Sequence, residues 1–156
     1  MDLKKAKQVF DTLVETLDER KWSYEAYPEE LTVKTAVVGE DFPIGILFIV
    51  DPKRNCVTFR SNPITRFSSD QLSDAALAAC TANNELDFGQ FSLDTKNGSL
   101  YYQYSDSYKG CEVSTEFFQS MICYAVDVVD NYNDRFVMLQ MGNLSLKQFL
   151  ELQEDA

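Results

Sequence analysis

Three aspartates, Asp127, Asp130 and Asp134, follow one another at spacings of three and four residues. On a helix that spacing lines three carboxylates along one face, where a hard cation such as Mg²⁺ or Ca²⁺ could sit. The same residues read more simply as the solvated side of an amphipathic helix, since like charges so spaced cost only about a few tenths of a kcal/mol per pair. Histidine is absent, which removes the commonest general base and the commonest metal ligand, and with them any Ser-His-Asp or Cys-His triad. The six glycines are scattered singly, and no glycine-rich loop of the kind that cradles phosphate is present. Cys56, Cys80, Cys111 and Cys123 show no Cys-x-x-Cys spacing, and three of them sit among apolar neighbours, so buried reduced thiols are expected. Cys123 falls on the polar side of a helix with no cation within one turn to lower its pKa. Asp51 and Asp94 each lead into a hairpin loop, where a carboxylate serves the turn by accepting backbone N–H groups. No catalytic, cofactor-binding or metal-ligating set emerges, so a non-enzymatic protein is expected. A carboxylate-dependent metal binder or enzyme on the acidic helix face is the alternative.

The elements that would carry these residues follow from periodicity. Leu3, Ala6, Val9, Phe10, Leu13, Val14 and Leu17 recur at helical spacing and predict a first helix from about residue 2 to 19. Trp22 to Tyr27 predicts a short strand ended by Pro28, and Leu31 to Val38 a strand closed by a Gly39-Glu40-Asp41 turn. Ile44 to Val50 is apolar almost throughout, as in a central strand, and Cys56 to Ser61 returns after the Asp51-Pro52-Lys53-Arg54-Asn55 loop. Ser68 and Gln71 have capping-box spacing ahead of a second helix, on which Leu72, Ala75, Ala76, Ala79 and Cys80 form a narrow small-residue stripe. Asn83 and Asn84 end it. The strands around Phe91/Leu93 and Leu100/Tyr102/Tyr104 then flank an Asn97-Gly98 turn. Ser114 caps a long third helix that stops at Gly142, and Ser145 with Gln148 repeats the capping box before a short last helix. The expected fold is α+β, with an antiparallel sheet of about five strands in the order α-β-β-β-α-β-β-α. Residues 1–142 would form the domain and residues 143–156 a short helix appended to it.

Alternation places Ile44, Ile46, Phe48 and Val50 on one side of their strand and Leu47 and Ile49 on the other, and separates Tyr101 from Tyr102 and Tyr104. Leu47, Ile49 and Tyr101 are therefore candidate partner-binding residues on a half-exposed apolar sheet face. The alternative is that the second helix covers that face. Against 14 basic residues stand 25 acidic ones, a net charge of −11, which repels phosphate backbones and excludes nucleic acid as a natural partner. No apolar run approaches the ~20 residues of a membrane helix, and no signal-peptide stretch opens the chain. A cytoplasmic protein with a protein or peptide partner is expected, pairing with itself through the second helix.

Trp22 and Tyr24 after the first helix, the Gly39 turn with Pro43, the apolar strand ending Val50-Asp51, and above all the run from Asn84 to Tyr104 occur in an order and spacing that resemble the YbjN domain family. That family's fold is similar to that of class I type III secretion chaperones. The resemblance covers most of the chain and implies a bacterial helix-on-sheet sandwich that often forms a dimer. It brings no catalytic motif, and the family's label of sensory-transduction regulator names no reaction. A secretion chaperone for one effector is the sharpest form of the expectation.

Overall fold

The computed structural model describes residues 1–154. The amphipathic stripe at the start of the chain forms α1 (Leu3–Glu19), capped by the Asp2 carboxylate, which accepts the Lys5 N–H at 3.0 Å. Ala6, Val9, Phe10, Leu13 and Leu17 are buried, while Leu3 faces water. Five strands follow: β1 (Tyr24–Tyr27), β2 (Thr32–Val38), β3 (Pro43–Asp51), β4 (Cys56–Ser61) and the two-residue β5 (Thr65–Arg66). A 3₁₀ turn at Ser69–Gln71 leads into α2 (Leu72–Asn83), then β6 (Gln90–Leu93), β7 (Ser99–Ser107), α3 (Thr115–Met141) and α4 (Leu146–Glu154). Residues 155 and 156 of the segment expected at 143–156 lie outside the described residues.

The fold is α+β with one antiparallel sheet, and seven strands pair in it where about five were expected. The one strand with no counterpart in the sequence pattern is short. β5 contributes two residues, placed where Pro63 has already interrupted the β4 pattern. β1 to β4 form a meander, and β7 then takes β4 and β5 along one edge and β6 along the other.

Local signals are realised in atomic detail. The Asp51 carboxylate accepts the Lys53 and Arg54 amides at 2.8 and 3.1 Å, and these bonds to its charged form hold its pKa below the usual aspartate value. The Asp94 carboxylate likewise accepts the Lys96 amide, at 2.9 Å. Gly98, at φ +75°, closes that loop by donating its N–H to the Asp94 carbonyl at 2.7 Å. In the 3₁₀ entrance to α2, Ser68 N–H donates to Gln71 Oε1, and at α4 Ser145 and Gln148 exchange both bonds of the box. Gly142, left-handed at φ +78°, ends α3.

All four helices lie on one side of the sheet. Ile44, Ile46, Phe48 and Val50 point into this layer with Val57, Phe59 and Tyr102, all buried. A run of aromatic contacts threads the core: Phe48 on Phe59 (5.5 Å between centroids), Phe59 on Tyr102 (6.2 Å), Tyr102 on Phe91 (5.5 Å), Phe91 on Phe136 (4.9 Å) and Phe136 on Phe149 (5.1 Å). It links β3, β4, β7, β6, α3 and α4. The Tyr102 hydroxyl donates to the Phe88 carbonyl at 2.8 Å, and burial pushes its pKa well above the ordinary phenol value.

The small-residue stripe of α2 is displaced by one position from the expected one. Ala75, Ala78, Ala79 and Ala82 are buried, whereas Ala76 and Cys80 face solvent. The expectation of buried thiols fails with it: Cys80, Cys111 and Cys123 are exposed, Cys56 is half-buried, and all four are free.

Candidate functional site

The three aspartates of α3 do not act together. Asp127 is exposed, Asp130 accepts the Glu40 amide at 2.8 Å and so pins the loop before β3, and Asp134 accepts the Arg135 amide at 2.7 Å. Among the described residues no group of three or more Cys, Asp or Glu side chains converges as a metal site would require. Two of the three carboxylates that helical spacing aligns are instead engaged with backbone amides. No cation lies within one turn of Cys123, but one reaches it from outside its helix: Arg20, just after α1, places Nη1 3.8 Å from its sulfur while lying over the Trp22 ring at 4.9 Å.

Leu47, Ile49 and Tyr101 share the sheet face that carries no helix, and α2 packs instead on the inner side of β6 beside Phe91. The register shows what separates the three. Leu47 lies between Lys34 and Arg60, Ile49 between Thr32 and Thr58, and Arg60 is itself opposite Gln103. Arg60 binds Gln103 Oε1 through two donors, at 2.7 and 3.0 Å, and lies over the Tyr101 ring at 5.2 Å. The face is thus a mixed one, with three half-buried apolar side chains set among hydrogen-bonded polar ones.

A larger apolar concavity lies on the helix side, in a cleft of about 510 Å³ between α1 and β1. Its floor is Phe10, Val14, Ala26 and Pro28, and its rim is Asp11, Glu15, Asp18 and Glu19. Helical spacing places the acids on the same side of α1 as Val14, so one element supplies both the grease and the charge. Tyr24 donates its hydroxyl to Asp18 at 2.7 Å, fastening β1 to α1, and that bond with its carboxylate partner raises the tyrosine pKa. β1 pairs with β2 alone, so its outer edge presents unpaired backbone donors and acceptors directly beside the cleft. Edge amides, an apolar trough and an acidic border together suit an extended peptide segment.

No family model and no curated protein matches the chain. Its shape does match solved structures. The structure of the HopA1-SchA chaperone-effector complex contains a chain that superposes with a TM-score of 0.62 at 11% identity, over 86% of this chain and 98% of that one. The chain therefore has a type III secretion chaperone-like, YbjN-like fold. The crystal structure of the ExsC-ExsE complex gives a TM-score of 0.60 at 13% identity, covering 86% and 96% of the two chains. YbjN of E. coli gives 0.58 at 15% identity, covering 80% and 91%. At these identities the likeness establishes the fold alone.

The α1/β1 cleft was not anticipated from sequence, although its signal was present. Asp11, Glu15 and Asp18 recur at spacings of four and three beside Val14, which marks an acidic border on an apolar helix stripe. No helix among the described residues is long and apolar enough to cross a membrane.

Proposed function

We propose that this protein is a non-enzymatic, cytoplasmic, chaperone-like binding module that holds an extended segment of a protein partner. The observation that carries the reading is the acid-rimmed trough of Phe10, Val14, Ala26 and Pro28 lying against the unpaired edge of β1. A segment adding to that edge would turn alternate side chains into the trough, and backbone hydrogen bonds would hold it without regard to sequence. The border of four carboxylates selects against acidic segments. Support comes also from the fold, since chains of this shape occur in chaperone-effector complexes. Leu47, Ile49 and Tyr101 offer a second, less apolar contact surface on the opposite side of the sheet.

Capture from a bacterial lysate with the immobilised full-length chain, followed by mass spectrometry, tests the assignment. Val14→Asp places a charge on the trough floor and should reduce recovery of the partner by about tenfold or more, as burying an unpaired charge does. Leu47→Ser should leave recovery unchanged. Loss with Leu47→Ser alone would move the binding site to the outer face, and recovery of no specific protein would remove the binding role itself.

The module is further proposed to pair through the outward side of α2, where Ala76, Leu77 and Cys80 face solvent. Small residues there allow a second copy to approach closely. Light scattering at micromolar concentration should return the mass of two chains, and Leu77→Glu should return one. A monomer for the unmodified protein would refute the pairing.

A further inference from the structure

A second concavity, of about 560 Å³, lies at the opposite end of the sheet between β7 and the start of α3. It arises because β6 stops short. Gln90 is the first residue of β6 and pairs with Gln103, so the stretch of β7 from Tyr104 onward has β4 on one edge and no strand on the other. Phe88, just before β6, fills the space above this uncovered stretch. Its ring stacks on Tyr104 at 5.5 Å with an interplanar angle of 13°, and meets Tyr124 of α3 edge-on at 5.3 Å. The Tyr124 hydroxyl accepts the Asp87 and Phe88 amides at 2.9 and 3.1 Å, which fixes the aromatic wall in place. Phe88 nevertheless remains 52% exposed.

The other half of the concavity is anionic. Asp106 and Glu116 line it together with Phe117, and neither carboxylate forms an ion pair with a lysine or arginine among the described residues. The Asp106 side chain accepts the Ser107 amide at 2.7 Å. No basic residue lines the cavity. Elsewhere the chain places its own guanidinium groups over aromatic rings: Arg20 over Trp22, Arg60 over Tyr101 and Arg135 over Tyr132, at 4.9 to 5.4 Å. Here the rings and the carboxylates are present without a cation. The exposed Phe88 ring attracts a cation through its negative face, and a carboxylate adds a charge-assisted, bidentate bond that only a planar guanidinium can satisfy while stacked.

We propose that this groove is a recognition pocket for an arginine side chain, stacked on the exposed ring of Phe88, which Tyr104 and Tyr124 back from beneath, and paired with Asp106 or Glu116. The inference deepens the protein-binding reading, since the arginine would belong to the partner, but the pocket is testable without one. The test titrates the ¹⁵N-labelled full-length chain with N-acetyl-arginine methylamide, and in parallel with the corresponding norleucine derivative. The expected result is a saturable set of shift changes confined to residues around 88, 104, 106, 116 and 124, at roughly millimolar affinity as suits so small a ligand, with no response to norleucine. Asp106→Asn with Glu116→Gln should weaken binding about tenfold, and Phe88→Ala should do so while leaving both charges in place. The carboxylate variants alter exposed or half-exposed groups, so their spectra should stay folded.

Shifts of equal size with norleucine, shifts spread over the whole acidic surface, or no shifts at all would overturn the pocket. The two readings separate cleanly. Arginine binding without any captured protein would sink the chaperone-like role and leave the pocket standing. Val14-dependent capture without arginine binding would do the reverse.

Discussion

Phe149→Ala is expected to cost the protein about 3–5 kcal/mol of folding stability, the usual range for removing a fully buried phenylalanine. The Phe149 ring has no accessible surface and packs on Phe136 at 5.1 Å. Phe136 in turn touches Phe91 at 4.9 Å and Tyr132 at 6.3 Å. The cavity left by truncation would open between rigid elements, so collapse can recover little of the lost contact. Against a total of about 5–15 kcal/mol for a domain, such a loss leaves a marginal protein. Guanidinium unfolding measures it directly. A loss below about 1 kcal/mol would mean that α4 is a detachable appendage and that its capping box and Phe149 do not hold it on the domain.

Gly98→Ala should be the second most damaging of the changes considered, on the order of 3 kcal/mol from left-handed backbone strain together with displacement of a backbone bond. Gly98 sits at φ +75°, and a Cβ there would run into the carbonyl oxygen of Phe67, the residue whose N–H donates to the Gly98 carbonyl at 2.9 Å. Both the 94–99 loop and the short β5 pairing depend on that approach. Gly142 supplies the control. It has the same sign of φ, at +78°, but a Cβ there meets nothing within 4 Å, so Gly142→Ala should cost only about 1 kcal/mol. Equal losses in the two variants would show that the crowding by Phe67 contributes nothing.

What could be read from the chain and what could not divides along contact range. Both capping boxes, the Asp51 and Asp94 turns, the Ser114 cap and the Gly142 stop are settled by residues within five positions of one another, and each appears where its residues placed it. The phase of α2 could not be decided. Ala75, Ala76, Ala78, Ala79, Cys80 and Ala82 are all small, so two stripes are equally apolar and only the neighbours Phe91 and α4 choose between them. Cys80 was misplaced as buried for the same reason, since its setting depends on which face of α2 the neighbours take. β5 escaped notice because two residues carry no periodicity.

The recognition surfaces were less legible still. Leu47, Ile49 and Tyr101 were assigned to one face by alternation alone, but the arginine between them became visible only through strand register. The α1/β1 trough joins residues near 14 and 26, and the arginine pocket joins residues near 88, 106 and 116. Neither is a motif in the chain, since a concavity is a property of where elements stop and what they leave uncovered.

The position of β7 in the chain bears on how the protein is made. This strand joins the meander to β5 and β6, yet it is encoded by residues 99–107, about two-thirds of the way along. While synthesis proceeds from the N-terminus, the meander emerges from the ribosome first, with the side of it that bears Phe48 and Phe59 bare of α3. Closure of the core waits for the final third of the polypeptide. The nascent protein thus passes through an interval of adhesive incompleteness, in which apolar side chains destined for the core are uncovered.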